Sequence, residues 1–382
     1  MKAYLLHLFN VAGGGEKVSL EIAYALRSRG FKVIYVTNSA KSMRKTAELL
    51  GLPGDYEVLE VYSILERFLG YTGRFIRLRR LLLLERGLKK LYSIRNTDRA
   101  ITIDTSTNHL FNVDVSYIHY PITLSTYGAP GGGKLLYVLY DYFVKYKAGK
   151  TKSVPRLVLT NSSWTAQLLK KALNVDAIVL HPPVDVDYFT YDGRMKEKVI
   201  VTISRLTPEK NLHLIPRIAS KLQDYTWYLI GSLGTTGLEF NISKQVLKKI
   251  ESEIRRYNLR NLYLLTNVSR RELRDILLSA SFYVHPFFPE HFGISVVEAI
   301  SAGCIPIVYR DGGAWTDIVS QLDLELSYES LEEVPSIIRK LESKHEKQIK
   351  LINSGITYVK KFKAEYFRER FIETLRGHGL IT

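Results

Sequence analysis

The sequence predicts an α/β protein made of two doubly wound, Rossmann-like domains, and three observations carry that prediction. The chain has 382 residues, too many for one ordinary core and suited to two domains of roughly 150 to 200 residues each. Short apolar runs alternate with helical patterns along nearly its whole length, which is how a parallel sheet is written. The series is broken once, at His181-Pro182-Pro183-Val184-Asp185-Val186-Asp187, where two prolines and a polar run cannot continue a buried strand. The expected division is therefore 1–184 and 185–382.

In the first domain the runs Tyr4 to Phe9, Lys32 to Thr37, Tyr56 to Tyr62, Ala100 to Ile103, Val113 to Ile118, Leu157 to Leu159 and Ala177 to Leu180 read as strands. Between the first two, Val18, Ile22 and Leu26 recur at helical spacing up to Gly30. A second series follows the break: Val199 to Ile203, Trp227 to Ile230, Leu262 to Leu265, Phe282 to His285 and Ile305 to Val308. The final helical stretch, roughly Lys347 to Leu375, could pack on either domain and is counted with the second in this division. Open parallel sheets bind ligands beyond the carboxyl ends of their strands, so two such domains facing each other are expected to enclose a cleft.

Composition narrows the function. The chain is 46% apolar with no uninterrupted run of eighteen apolar residues and no leader-like N-terminus, so a cytoplasmic protein is expected. Its one cysteine, Cys304, rules out an intramolecular disulfide, and no Cys/His cluster has metal-ligand spacing. The net charge of +16 calls for an anionic partner. Nine basic residues and two acids lie between Leu65 and Arg95, interleaved with apolar ones, and Lys134 to Lys152 repeats that pattern. Both read as helices with an apolar face and a cationic rim, suited to an anionic membrane surface or to packing on a core with the basic side solvated.

The chemistry-bearing motifs fall at predicted strand ends. Gly13-Gly14-Gly15-Glu16 opens the first helix, where absent side chains let backbone amides approach a phosphate. A nicotinamide site would need an acid after the second strand, where this chain has Thr37-Asn38-Ser39. Gly128 to Lys134 has most of a phosphate loop, but Leu135 stands in place of the magnesium-binding hydroxyl residue. His119 ends one apolar run, and Asn161-Ser162 follows another as a helix cap. The Asp185/Asp187 pair lies in the connection and reads as hinge or cap. In Ser204-Arg205-Leu206-Thr207-Pro208-Glu209-Lys210, Thr207 is placed as an N-cap with Pro208 behind it, and Arg205 and Lys210 could point at a pyrophosphate. Finally Glu290 and Glu298 stand behind the strand Phe282 to His285, with Phe292-Gly293-Ile294-Ser295 turning into a helix between them. Two carboxylates at different depths beside a helix N-terminus suit two polyol groups flanking a diphosphate.

Taken in order, GGGEKVSLEIAYALRSRG, YIHYP, TNSSWT, HPPVDV, SRLTPEKNL and PEHFGISVVEAISAGCIPIVYRDGG resemble the family 4 retaining glycosyltransferases of GT-B fold, over residues 1 to 320. More narrowly they resemble the eukaryotic mannosyltransferases that add α-1,2-mannose to dolichol-linked oligosaccharide. The resemblance implies that Gly14 and Gly15 approach the donor diphosphate and that Arg205 and Lys210 bind it. It implies that Glu298 holds the ribose, Glu290 touches the transferred sugar and His119 lies near the reacting centre, with amides of Phe292 to Ser295 completing the phosphate site. It implies no metal and no cofactor beyond a nucleotide-sugar co-substrate, GDP-mannose favoured. The expected acceptor is a lipid-linked glycan, reached from the cytoplasmic face of the membrane through 65–95 and 134–152, with no nucleic-acid partner. A sugar phosphorylase or synthase on the same fold, or a polyanion-binding protein, are the rival readings.

Overall fold

The computed structural model describes residues 1–9, 13–62, 76–97, 100–121, 155–234 and 237–382. The chain divides into two compact units, Met1–Pro183 with Ala364–Thr382, and Val184–Lys363. The crossing at Pro183 falls on the proline pair singled out above. The end of the second domain is corrected: residues 364–382 return to the first unit, because their apolar stripe packs on the first helix.

In the first unit the strands are β1 (Lys2–Leu6), β2 (Lys32–Thr37), β3 (Glu57–Glu60), β4 (Ala100–Asp104), β5 (Val115–Ile118), β6 (Leu157–Thr160) and β7 (Ile178–Val179). They form one parallel sheet in the order β3-β2-β1-β4-β5-β6-β7. Its helices are α1 (Gly14–Ser28), α2 (Ala40–Leu49), α3 (Ile76–Thr97) and α4 (Ser163–Leu173). One face of the sheet is covered by α1, whose Val18, Ile22 and Leu26 are buried as their spacing predicts. Phe367, Phe371, Ile372 and Leu375 of the returning segment join that core.

The other face is covered by α3, which buries Leu83, Leu84, Leu88, Leu91 and Ile94 against Leu6, Ile34 and Val36. That corrects the expectation of a membrane-facing apolar side for this half of the 65–95 segment, since its leucines are already spent on the core. Residues 63–75, the side chains of 76–81, and the whole of 134–152 with the Gly128–Lys134 loop lie outside the described residues. Among those described, no helix is long and apolar enough to cross a membrane.

The second unit holds β8 (Glu197–Arg205), β9 (Thr226–Ser232), β10 (Leu262–Thr266), β11 (Ala280–Val284), β12 (Ile305–Tyr309) and β13 (Ser327–Tyr328) in the order β10-β9-β8-β11-β12-β13, again all parallel. Its α-helices are α5 (Ile215–Ala219), α6 (Gly237–Arg256), α7 (Arg270–Ser279), α8 (Ile294–Ser301), α9 (Val334–Glu342) and α10 (His345–Val359). The final helix, α11 (Ala364–Gly377), belongs to the first unit. The single helical stretch expected over 347–375 is thus two helices, parted by a tight turn at Lys360–Phe362.

Candidate functional site

In the second unit the ends of β8 and β11 bring together the residues from two separate motifs. Lys210 sits in a 3-10 turn, Pro208–Lys210, and its side chain is only 7% exposed. Its ammonium donates to Glu290 Oε2 at 2.7 Å and lies 3.8 Å from the centroid of the Phe288 ring. His285 Nε2 stands 3.4 Å from the same Oε2, while its Nδ1 is 2.9 Å from the carbonyl of Pro286. Glu290 Oε1 has no partner among the described residues, and the side chain is 26% exposed. The carboxylate therefore has one oxygen held by the Lys210 ammonium beside the His285 ring, and the other without a partner among the described residues.

Burial works against ionisation of Glu290, yet the Lys210 ammonium, the His285 contact and nearby His291 override it and hold the carboxyl well below its usual range. His291 responds the opposite way. Burial chiefly, with Lys210 and Arg205 also opposing a further positive charge, brings its imidazole down to about 4 despite Glu290. Arg205, exposed at the end of β8 and without an ion-pair partner among the described residues, thus shares the electrostatic neighbourhood of Lys210 and Glu290.

The loop geometry is held by glycine. Glu290 bridges to Gly312, whose φ is +94°, and a β-carbon there would come within 2.4 Å of the Glu290 carbonyl oxygen. Gly293, φ +103°, is the N-cap of α8 and offers no side-chain cap, so the first amides of the helix lack intrahelical acceptors. Phe292 is buried against Phe362, and Ser295 Oγ is 2.9 Å from the buried Tyr283 hydroxyl. Ile294 and Ser295 open the helix, and Glu298 lies one turn further on with its side chain 11% exposed.

Thr207 occupies the N-cap position expected for it but makes no side-chain cap bond; its Oγ1 is buried without a hydrogen-bond partner among the described residues. The segment it starts is 3-10 rather than α, because Asn211 turns left-handed at φ +51° after one turn. Asp185 pairs with Arg270 at 2.8 Å and Asp187 with Lys363 at 2.6 Å, so both carboxylates hold structure. Among the described residues no group of three or more His, Cys, Asp or Glu side chains could hold a metal. Cys304 is buried beside the Leu277 carbonyl.

A second cluster lies in the first unit. Gly13 is the N-cap of α1, and Gly14 and Gly15 open that helix. His119, just past β5, lies against it: a β-carbon on Gly15 would sit 3.4 Å from His119 Nε2. The His119 backbone is clamped on both sides, its N–H donating to Asn108 Oδ1 at 2.7 Å and its carbonyl accepting from Asn161 Nδ2 at 2.9 Å. Ser162, not Asn161, caps α4. The sequence motifs did not single out His285, His291, Asn108 or Arg270; each matters through contacts between distant segments that no local pattern announces.

The chain is similar to several known proteins. The family described as "Glycosyl transferases group 1" matches residues 189–357. A Dictyostelium discoideum protein named GDP-Man:Man(3)GlcNAc(2)-PP-Dol alpha-1,2-mannosyltransferase is 26% identical over 289 residues, covering 71% of this chain and 55% of that protein. The chain thus spans about half the length of the curated relatives it matches. Among solved structures, Anabaena HepE in complex with UDP superposes with a TM-score of 0.71 at 17% identity over 99% of this chain and 100% of the other. A Rickettsia africae glycosyltransferase does so with a TM-score of 0.66 at 17% identity, covering 99% and 98%. Residues 189–357, most of the second unit, thus match the group 1 glycosyl transferases, and the chain has the GT-B fold.

Proposed function

We propose that this protein transfers a hexose, mannose in the favoured case, from a nucleotide diphosphate sugar to a lipid-linked glycan, with the α configuration retained. The observation that carries the reading is the Lys210–Glu290 pair, 2.7 Å apart and immediately before the uncapped start of α8. A buried ammonium, an exposed guanidinium at Arg205, the Thr207 hydroxyl and the amides of Gly293 to Ser295 together suit the two negative phosphates of a leaving diphosphate. Fixed charges of this kind stabilise the developing negative charge without a metal ion, and no metal is assigned a role.

Glu290 is assigned to the transferred sugar, with Oε1 accepting from a hydroxyl while Oε2 stays on Lys210. With Oε2 engaged by the Lys210 ammonium, Glu290 is read as a group that binds the sugar and not as a nucleophile. Retention is therefore assigned to a front-face route in which the acceptor hydroxyl passes its proton to the leaving phosphate, a step that needs positioning and electrostatics. Glu298 is assigned to the ribose. In the first unit, Gly14 and Gly15 are assigned to the donor diphosphate and His119 to the reacting centre. The name of the Dictyostelium discoideum relative supports GDP-mannose as donor and a polyprenyl-linked glycan as acceptor. Action at the cytoplasmic face of a membrane is part of this proposal, and the +16 charge, which suits an anionic surface, supports it.

Calorimetric titration with GDP-mannose, UDP-glucose and UDP-N-acetylglucosamine, without added metal, tests the reading. GDP-mannose is expected to bind in the micromolar range and to lose about tenfold or more in Lys210→Ala, the loss of one charge-assisted contact. If no sugar nucleotide binds while DNA or heparin does, with steep salt dependence, the protein is a polyanion binder and the transferase reading fails.

A further inference from the structure

We infer that Asn108 and Asn161 are positioning residues that hold His119 at the reacting centre; the inference rests on the placing of His119 there in the reading above. His119 stands just past the sheet. On one side β5 pairs with β4 only as far as Ser116, opposite Asp104, and on the other it pairs with β6 as far as Ile118, opposite Thr160. The His119 backbone thus lies beyond the last rung of both ladders, and two carboxamides take over from the strands. Asn108 Oδ1 accepts from the His119 N–H at 2.7 Å and from the Tyr120 N–H at 3.3 Å. Asn161 Nδ2 donates to the His119 carbonyl at 2.9 Å, while its Oδ1 accepts from the Ser162 hydroxyl at 3.3 Å. These partners fix which end of each amide is oxygen and which is nitrogen.

The turn that carries Asn108 is itself built for this. Buried Asp104 accepts at Oδ1 from the Ser106 and Thr107 N–H groups, at 2.9 and 3.1 Å, and at Oδ2 from the Thr107 hydroxyl. Asn108 then turns left-handed at φ +56°, a conformation that asparagine takes at small cost. Glycine would take it as readily but would bring no acceptor. With the backbone of His119 held on both sides its Cα–Cβ direction is set, and packing sets the ring. The imidazole centroid lies 4.9 Å from that of Tyr117, and Nε2 lies 3.4 Å from where a β-carbon on Gly15 would stand. Tyr117 is buried, with its hydroxyl donating to the Leu180 carbonyl at 2.7 Å. A group that must meet a reacting centre gains from being held before the substrate arrives, since a displacement of about 1 Å costs about a hundredfold in rate. The two asparagines supply opposite things, Asn108 an acceptor and Asn161 a donor. Aspartate can replace the first of these and not the second.

The test measures GDP release from GDP-mannose by the full chain, with water alone and with a polyprenyl diphosphate-linked mannosyl glycan as acceptor. It compares wild type, His119→Ala, Asn108→Gly, Asn108→Asp, Asn161→Asp and the double variant Asn108→Gly/His119→Ala. Asn108→Gly keeps the left-handed turn and removes the acceptor, and it is expected to lower kcat by about tenfold or more with little change in KM for GDP-mannose. Asn108→Asp, which still offers an oxygen, recovers part of that loss. Asn161→Asp sets an oxygen against the His119 carbonyl and loses as much as Asn108→Gly. In the His119→Ala background Asn108→Gly has no further effect, because the ring through which it acts is gone. A smaller folded fraction would instead lower turnover by the same factor in both backgrounds. An equal loss in both backgrounds therefore overturns the inference, as does an unchanged kcat in Asn108→Gly and Asn161→Asp. If His119→Ala turns over as wild type does, the placing of His119 at the reacting centre falls and this inference with it. A wild type that releases no GDP with either acceptor would instead sink the transferase reading.

Discussion

Gly312 and His291 show how single residues set the properties of the proposed donor loop. A methyl group on Gly312 would meet the Glu290 carbonyl oxygen at 2.4 Å and its nitrogen at 2.6 Å, both backbone atoms that cannot swing aside, at a φ of +94°. Gly312→Ala is therefore expected to push the Glu290 loop off Lys210, weakening GDP-mannose binding at least as much as Glu290→Ala, with a stability loss of about 1 to 3 kcal/mol for the strained backbone. Calorimetry and denaturant titration on the same samples check both. His291, brought down to about 4 against an ordinary 6.5, binds its proton in the unfolded chain before it does in the fold. Between pH 6.5 and 4 the unfolded state holds the extra proton, so stability rises with pH across that window and is lost as pH falls. His291→Gln should flatten this limb by about 1 to 3 kcal/mol in denaturant titrations at pH 4.5 and 7.0. An unchanged slope would mean the imidazole is solvated. Glu290, whose carboxyl is held low, adds a separate loss only below the ordinary carboxylate range.

At the level of elements, α3 decides between two uses of one basic, leucine-rich segment. Leu91 is fully buried with Leu83, Leu84 and Leu88 against β1 and β2, so Leu91→Ala should cost about 2 to 5 kcal/mol in chemical denaturation. If the leucines served a bilayer instead, that substitution would weaken vesicle binding and leave stability alone. The same helix shows what was legible in the sequence. Its periodicity announced an apolar face, but not whether sheet or lipid covers it. The strands were readable wherever an apolar run was long enough to be buried on both faces, as in Lys32 to Thr37. The two-residue β13, Ser327–Tyr328, has no such run and was missed. Of the candidate site, Lys210 and Glu290, which the structure brings together, were legible from their places at strand ends. His285 and His291 were not, because an imidazole gains its role only from the carboxylate the fold brings beside it. Arg270 was not singled out, since its two acid partners lie 85 and 28 positions away in sequence.

For the whole molecule, the return of the C-terminus matters most. Helix α11 is amphipathic, and its stripe of Phe367, Phe371, Ile372 and Leu375 says that it packs without saying on what. In the structure the stripe completes the core over α1, and Arg368 places a guanidinium 2.8 Å from Glu21, which is itself 2% exposed. Ending the chain after Lys363 would open that core and take Arg368 away from the buried Glu21 carboxylate. Loss of two buried phenylalanines alone costs about 6 to 10 kcal/mol, comparable to the whole stability of a typical domain. The truncated protein is therefore expected to lose the folded first unit and keep the second, whose own core ends at Phe362. Calorimetric unfolding with and without GDP checks this. One transition should disappear on truncation, and the remaining one should still rise with GDP, because Arg205, Lys210, Glu290 and Glu298 all belong to the second unit. If the surviving transition no longer responds to GDP, nucleotide binding depends on residues of the first unit, and Gly14 and Gly15 become the groups to change next.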